Sequence, residues 1–257
     1  MTALMIAMTL YMGGQDKAYG EIAGSGTHLM AIVIDDLGND MDGTDTILKL
    51  DIPITVAIMP FLPSTTKDAE AAYKAGHEVI VHMPMEPNKG LKKWLGPGAL
   101  TADLSDEEIR QRVEEAIDNV PHAVGMNNHM GSKITTNERI MRIVLQVCKE
   151  RHLYYLDSKT SYRSVVAKVA TELGVPFAEN QMFLDDVYSA EHVHKQMQKA
   201  YSLMERQEST IMIGHVGASG KYTSSEILRA IPQLSQRGQL VHISDIIRIS
   251  LIDPEVM

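Results

Sequence analysis

The chain has 257 residues, of which 44% are hydrophobic and 22% are charged, a balance typical of a soluble globular protein, and one α/β domain of this length can bury a full core. A net charge of -9 and a pI near 5.6 argue against a nucleic-acid partner, because the only basic cluster, Lys89 to Lys93, is short. The single cysteine, Cys148, excludes an internal disulfide and a zinc site made of cysteines.

Residues 1–27 are expected to form a leader that is separate from the folded body. Its apolar stretch, from Leu4 to Met12, resembles the middle of a signal peptide but lacks preceding basic residues and is too short to span a bilayer. A weakened export signal and a disordered or helical leader both fit this pattern. The signal-like stretch favours an exported or envelope-associated protein, while a cytoplasmic location stays open.

Residues 28–257 are expected to form a single domain without an integral membrane segment, in an oligomeric state that the sequence does not define. Apolar runs alternate with stretches of helical length, and Ser105-Asp106-Glu107-Glu108 has the pattern of a capping box. This alternation predicts βα units in a parallel sheet or barrel. The predicted strands are 29–34, 54–59, 78–82, 123–126, 153–156, 181–184, 210–213 and 240–243. The predicted helices are 64–75, 105–119, 137–151, 161–173, 189–207 and 223–237.

Two adjacent carboxylates, Asp35 and Asp36, stand at the end of the first predicted strand. Such groups repel each other and lose hydration when they are covered, so a cation or a chemical task usually compensates them. Only one of the two could cap a following helix. A purely structural role therefore fits this pair poorly.

Polar side chains also follow most of the other predicted strands. In βα barrels, the carboxyl ends of the strands and the loops after them form the active-site face. Some of these residues have a structural alternative, since Asp157 and Asp186 fit helix N-caps and Asn128 fits a turn. Their coincidence on one face nevertheless indicates a site that binds metal or moves protons. The strand-end residues are Asp35, Asp36, His82, Glu86, Asn127, Asn128, His129, Asp157, Asp185, Asp186 and His215.

The ordered set of motifs resembles the divergent branch of the polysaccharide deacetylases, a carbohydrate esterase group with the NodB-homology fold. Residues 34–38 resemble the first motif of the superfamily, residues 76–82 the segment leading to its metal-binding histidine, and residues 211–215 its last motif. Residues 84–87, 127–132 and 157–160 match the divergent branch itself. The resemblance covers roughly residues 28 to 250.

The resemblance implies a distorted (β/α)7-type barrel and a divalent metal held by one Asp and two His. Carried over by position, Asp36 and His82 are metal ligands, Asp35 is the general base and His215 is the general acid. The chain departs from the pattern because Glu86 stands where the superfamily has a second histidine, and because the Arg-Pro motif is missing. We take His129 as the third ligand, with Glu86 as the competing candidate.

The implied activity is metal-dependent removal of N-acetyl groups from an amino-sugar-containing glycan. An Asp and two imidazoles suit Zn²⁺, which activates water and polarises a carbonyl. Trp94, in the loop after the third strand, either stacks on a sugar ring or anchors that loop, and Asn128, Asp157 and Asp186 are additional site candidates. Two alternatives stay open, namely a catalytically weakened or inactive envelope carbohydrate-binding protein and a metal-dependent hydrolase of another amide or ester bond.

Overall fold

The computed structural model describes residues 28–90 and 92–252, so the expected leader, residues 1–27, lies outside the described residues. The strands in these ranges are β1 (Leu29–Leu37), β2 (Thr55–Ile58), β3 (Glu78–Met85), β4 (Ala123–Met130), β5 (Tyr154–Asp157), β6 (Phe177–Glu179), β7 (Met182–Phe183), β8 (Ser209–His215) and β9 (Gln239–Leu240). The helices are α1 (Thr44–Ile47), α2 (Thr65–Lys74), α3 (Asp106–Asn119), α4 (Glu138–Glu150), α5 (Val166–Leu173), α6 (Ala190–Met204), α7 (Gly220–Arg237) and α8 (Ile243–Ile252). Within the described ranges, no helix is both long enough and apolar enough to cross a membrane.

The strands form one parallel sheet that curls into a barrel. Its order is β6-β5-β4-β3-β2-β1-β8-β7, and β9 pairs with the beginning of β1. The two outermost strands, β6 and β7, are separated by only two residues. The backbone N–H of Asn180 donates to the carbonyl of Asp157 at 2.9 Å, and that of Gln181 donates to the carbonyl of Ile211 at 3.1 Å. The adjacent residues Asn180 and Gln181 thus bond to β5 and β8, which lie next to the two outermost strands. The two edges of the sheet therefore lie close together, which confirms the predicted distorted barrel.

Side chains alternate between the inside of the barrel and the layer of helices around it. In β1, Leu29, Ala31 and Val33 belong to one buried cluster, whereas Met30 and Ile32 belong to another that includes helical residues. The first cluster also contains Ile80, Ile213 and residues of α8, which therefore closes the barrel where the strands begin. By the two-residue period of a strand, Asp35, His82 and His215 continue the interior face to the strands' carboxyl ends.

The predicted elements are confirmed except at the short and strongly apolar segments. The capping box at Ser105 is present, with the Ser105 hydroxyl accepting from the Glu108 N–H and the Glu108 carboxylate accepting from the Ser105 N–H. The predicted strand 240–243 is confirmed only at Leu240, because β9 is Gln239–Leu240 and Ile243 begins α8. Isoleucine-rich sequence favours a strand by local preference, but this segment buries its apolar side chains as a helix in the barrel mouth. The sequence prediction also missed α1 and β6.

Candidate metal centre

The backbone at the end of β1 turns both aspartates toward the same site. Asp36 has a φ of 71°, a left-handed conformation that costs a non-glycine residue about 1 kcal/mol. The pairing of β1 with β2 shifts register between Ile34 and Leu37. Consecutive side chains of a regular strand point to opposite faces, and this irregularity breaks the alternation. As a result, His82 Nε2 lies 3.7 Å from Asp35 Oδ2 and 3.2 Å from Asp36 Oδ1.

Three side chains bring potential metal-ligand atoms together at this end of the barrel. Asp36 Oδ1 lies 3.2 Å from His82 Nε2 and 2.9 Å from His129 Nδ1, and the two nitrogens are 3.1 Å apart. A tetrahedral ion with ligand bonds of about 2.0–2.1 Å separates its ligand atoms by about 3.3 Å. Asp36, His82 and His129 are thus spaced as the ligands of one divalent ion.

The hydrogen bonds of the two imidazoles leave lone pairs facing Asp36. His82 Nδ1 donates to Asn127 Oδ1 at 2.6 Å, and His129 Nε2 donates to the backbone carbonyl of Trp94 at 3.0 Å. A neutral ring that donates from one nitrogen offers a lone pair at the other. Asp36 Oδ1 is buried and accepts no hydrogen bond from the part of the chain that the structure describes. Three electron-rich atoms within about 3 Å of one another fit a cation between them.

When no ion is bound, an imidazole that carries a hydrogen on the nitrogen facing Asp36 stabilises the charge of this carboxylate instead. Burial raises the pKa of Asp36, but the hydrogen bonds and charges of His129 and His82 in that form hold the pKa well below its usual value. The carboxyl group is therefore ionised at neutral pH, which a metal ligand requires. Its side chain is 26% exposed, which leaves the site open on one side.

Asp35 occupies a different environment one residue earlier. Its side chain is buried, and its Oδ1 accepts a hydrogen bond from Asn127 Nδ2 at 2.8 Å. Burial raises the pKa of Asp35 above its usual value, and the nearby His82 and His215 only partly oppose the rise. A carboxyl group with a raised pKa is a stronger base than an exposed one, which suits proton abstraction.

His215 lies opposite Asp35 and is held by a buried carboxylate. The Cα positions of the two residues are paired between β1 and β8. Asp185 accepts hydrogen bonds from His215 Nδ1 at 2.7 Å and from the His215 backbone N–H at 2.8 Å, and also from the hydroxyls of Ser219 and Thr223. Although burial alone would lower it, the bond to Asp185 raises the pKa of His215 to about 9. His215 is therefore a protonated imidazole at neutral pH.

Asn127 and Asp185 contact the site residues, although the sequence assigns them no role beyond that of polar residues after predicted strands. Phe183, the last residue of β7, pairs with Ile213 of β8, and Asp185 and His215 each follow two residues later, so the register is the signal that brings Asp185 to His215. The contact of Asn127 with Asp35 joins β4 to β1 across the barrel interior, and no sequence spacing reveals it.

Glu86, the competing third ligand, is not brought to the cluster. Its Oε2 accepts from the backbone N–H of Ala102 at 2.9 Å, and its Oε1 lies 2.7 Å from Lys133 Nζ. The hydrogen bond and charge of Lys133 lower the pKa of Glu86. The geometry therefore groups His129, and not Glu86, with Asp36 and His82.

The additional candidates Asn128, Asp157 and Asp186 also make their contacts elsewhere. Asn128 accepts from the Ser158 N–H at 3.1 Å and donates to the Met130 carbonyl at 2.8 Å. Buried Asp157 accepts from the Lys159 N–H at 2.8 Å. Asp186 is largely exposed and lies 2.6 Å from His192 Nε2. These residues shape loops around the site, and the structure does not place them with the three potential ligands.

The fold and the site together define a parallel βα barrel that gathers an Asp-His-His group, a buried second aspartate and an Asp–His pair at its strand ends. The model of the divergent polysaccharide deacetylase family matches residues 32–247, and the chain belongs to that family. The chain is 38% identical over 186 residues to the uncharacterized protein YibQ of Escherichia coli K12. This match covers 72% of the chain and 58% of YibQ, less than two thirds of that relative.

Solved structures share the fold at low sequence identity. An uncharacterized protein from Agrobacterium tumefaciens C58 superposes with a TM-score of 0.74 at 18% identity, covering 89% of this chain and 94% of that one. A peptidoglycan N-acetylglucosamine deacetylase gives 0.51 at 14% identity over 83% and 85% of the two chains. A CE4 family pseudoenzyme from Bacillus anthracis gives 0.50 at 14% identity over 86% and 66%. Since an enzyme and a pseudoenzyme fit equally well, the fold does not decide whether the chain is active.

Proposed function

We propose that this chain is a metal-dependent hydrolase that removes N-acetyl groups from an amino-sugar-containing glycan. The observation that carries the proposal is the convergence of His82 Nε2 and His129 Nδ1 on the unbonded oxygen of Asp36, with Asp35 and His215 at its side. Membership of the divergent polysaccharide deacetylase family supports the choice of bond and substrate class.

The residues of the site divide into ligands and proton carriers. Asp36, His82 and His129 hold the ion, and we propose Zn²⁺ because two imidazoles and one carboxylate match its preferred ligands. When bound, such an ion polarises a carbonyl oxygen and lowers the pKa of water. Asp35 takes a proton from the attacking water, and His215 gives its proton to the departing amine. The water oxygen joins the acyl carbon, the C–N bond breaks, and the products are acetate and the free amino sugar.

Exposed aromatic side chains at this end of the barrel support a sugar substrate. Trp94, Tyr162 and Tyr188 are 57%, 86% and 70% exposed and lie in the loops after β3, β5 and β7. Sugar rings pack on such flat apolar faces, and the Trp94 backbone already bonds to His129. An N-acetylated glycan of the cell envelope fits these features and the signal-like stretch before residue 28, so we propose an exported or envelope location.

A catalytically inactive carbohydrate-binding protein is the second candidate. The group that bonds to Asp35 Oδ1 is the neutral amide of Asn127, whereas the resemblance leads one to expect an arginine beside the base. A neutral partner stabilises the carboxylate less than a cation does, so the base differs electrostatically from that of the wider superfamily. The similarity in fold between this chain and a pseudoenzyme also supports this second candidate.

The decisive experiment is metal analysis of the purified protein, followed by acetate release from N-acetylglucosamine oligomers and peptidoglycan. We expect one divalent ion per chain, loss of that ion in Asp36→Ala, and acetate release by the wild type alone. Bound metal with glycan affinity but no acetate supports the binding protein. Turnover only on unrelated amides or esters supports a different hydrolase, and a wild type that binds no ion under metal-replete conditions overturns the proposal.

A further inference from the structure

One fully buried amide connects the two halves of the site. The Asn127 side chain, which is 0% exposed, donates from Nδ2 to Asp35 Oδ1 at 2.8 Å and accepts at Oδ1 from His82 Nδ1 at 2.6 Å. Asn127 therefore contacts the group assigned as the base and a group assigned as a metal ligand at the same time. These two bonds account for both ends of its amide.

The chemistry of these partners fixes the direction of the amide. An ionised carboxylate only accepts hydrogen bonds, so the NH₂ group of Asn127 has to face Asp35. The amide oxygen then faces His82 and requires a hydrogen on Nδ1. This selects the tautomer of His82 whose lone pair is at Nε2, the atom that lies 3.2 Å from Asp36 Oδ1.

The fold provides the means for this double contact. Asn127 and His82 are paired directly between β4 and β3, which brings the amide to the imidazole by register alone. Asp35 lies on β1, which β2 and β3 separate from β4 in the sheet. The contact with Asp35 therefore crosses the barrel interior, and it forms only because the sheet is curled.

We propose that Asn127 is a positioning residue that orients the base through its amide N–H and the metal ligand His82 through its amide oxygen. The proposal rests on the proposed function for the role of Asp35, whereas the orientation of His82 stands on metal binding alone. Asn127 in this role affects metal affinity through its Oδ1 and proton transfer through its Nδ2. Substitutions that change only one of these atoms therefore separate the two effects.

Two substitutions test the two ends of the amide. Asn127→Asp keeps an oxygen for His82 Nδ1 but sets a second carboxylate against Asp35. We expect its Co²⁺ affinity to stay within about threefold of the wild type, while kcat falls on the order of 100-fold with little change in KM. Asn127→Leu removes both bonds and is expected to lower Co²⁺ affinity by about 10- to 100-fold as well.

The measurement is a titration of the metal-stripped full-length protein with Co²⁺, followed by visible absorption, in parallel with acetate release by the reloaded protein. Asn119→Asp is the matched control, because it makes the same charge change at a residue whose oxygen accepts from the Phe61 N–H and keeps that capacity. The thermal unfolding of each variant identifies any loss of folding. Should Asn127→Leu fail to fold, the isosteric Asn127→Asp still tests the separation of kcat from Co²⁺ affinity.

The outcomes are distinct from those of the proposed function. Unchanged Co²⁺ affinity in Asn127→Leu overturns the role of Asn127, and so does an equal loss of affinity in both variants. If the wild type binds Co²⁺ but releases no acetate, the deacetylase proposal fails. The Co²⁺ titration then still decides whether Asn127 orients His82.

Discussion

Each end of the barrel holds a carboxylate, and the protein treats the two groups differently. Where the strands begin, Glu78 Oε1 accepts hydrogen bonds from the Thr55 hydroxyl at 2.9 Å, the Tyr154 hydroxyl at 2.7 Å and the Ser244 backbone N–H at 3.3 Å. Where the strands end, the buried Oδ1 of Asp36 accepts none from the described residues. One carboxylate oxygen thus accepts three hydrogen bonds at the first end, whereas a buried carboxylate oxygen at the other end accepts none from the described residues.

This difference separates a structural carboxylate from one that is available to a ligand. Glu78 and His82 lie on the same face of β3, with Ile80 between them. The two ends of the barrel therefore do not differ in the strand that contributes these residues or in their burial. What differs is the source of the compensating groups. Glu78 faces the first turn of α8, whose N–H groups favour an anion and whose apolar side chains close the barrel. At the other end the protein supplies two imidazole lone pairs, which stabilise the charge of Asp36 only when a proton or a metal ion lies between them and the carboxylate.

The largest expected effect comes from replacing Asp36 with glycine. Asp36→Gly deletes a proposed ligand and relieves the left-handed φ of 71°, which glycine adopts at no steric cost. We expect Asp36→Gly and Asp36→Ala both to lose metal binding and acetate release, and metal-free Asp36→Gly to be more stable than metal-free Asp36→Ala by about 1 kcal/mol. Metal analysis and urea unfolding of the metal-free variants measure both changes. Asp36→Ala is the control, since it removes the carboxylate without relieving the backbone, and an Asp36→Gly protein that is no more stable than Asp36→Ala would contradict this account.

The second prediction concerns the proton donor and its dependence on pH. Asp185→Asn removes the negative charge that raises the pKa of His215 from 6.5 to about 9. Because that pKa is raised on folding, the stability from the pair is fully present below about pH 6.5 and is lost as pH rises through about 9. We expect Asp185→Asn to be less stable than wild type by about 3 kcal/mol at most near pH 6, and the difference to shrink toward pH 9.5.

Urea unfolding of the two proteins between pH 6 and pH 9.5 measures this difference, and a constant gap across that range would contradict it. Activity provides a second measurement. His215 has to be protonated to act as the acid, so kcat/KM of the wild type is expected to fall above about pH 9. In Asp185→Asn the fall is expected nearer neutral pH.

The third prediction tests the structural end of the barrel. Glu78→Ala leaves the hydroxyl of Tyr154 and the N–H of Ser244 without their acceptor, and we expect a loss of about 3 kcal/mol in the free energy of unfolding. Co²⁺ affinity is expected to stay within about twofold of the wild type, because the proposed metal ligands lie at the other end. Glu78→Gln keeps an oxygen acceptor and should lose less. A large fall in Co²⁺ affinity in Glu78→Ala would show that the two ends are coupled.

The end of the barrel with the candidate metal centre was predictable because of a general property of parallel sheets. All strands of such a sheet end on the same side, so polar residues after separate strands meet without knowledge of the detailed structure. This property predicts that Asp35, Asp36, His82 and His215 lie together, and the structure places them at the same end of the barrel. The choice between His129 and Glu86 could not be made, because both follow neighbouring strands, and only the structure shows Glu86 engaged by Lys133 and Ala102.

The residues that sequence reasoning missed depend on contacts through space. Asn127 reaches Asp35 across the barrel, and the β7–β8 register brings Asp185 to His215. The structural end was missed for a similar reason. The sequence predicts Glu78 only as the first residue of a strand and places Ile243, the first residue of α8, in another strand, so no sequence pattern joins Glu78 to α8.

The smallest expected effect compares one exposed aromatic side chain from each end. Trp94 and Tyr73 are both 57% exposed, but Trp94 follows β3 at the end with the candidate metal centre and Tyr73 precedes β3 at the other end. Trp94→Ala removes the indole and keeps the backbone carbonyl that bonds to His129. We therefore expect unchanged Co²⁺ affinity and a rise of about fivefold in KM for N-acetylglucosamine oligomers, the value of about 1 kcal/mol of ring stacking. Tyr73→Ala should leave KM unchanged. Equal effects of both variants on KM would mean that the sugar does not bind specifically at the end with the candidate metal centre.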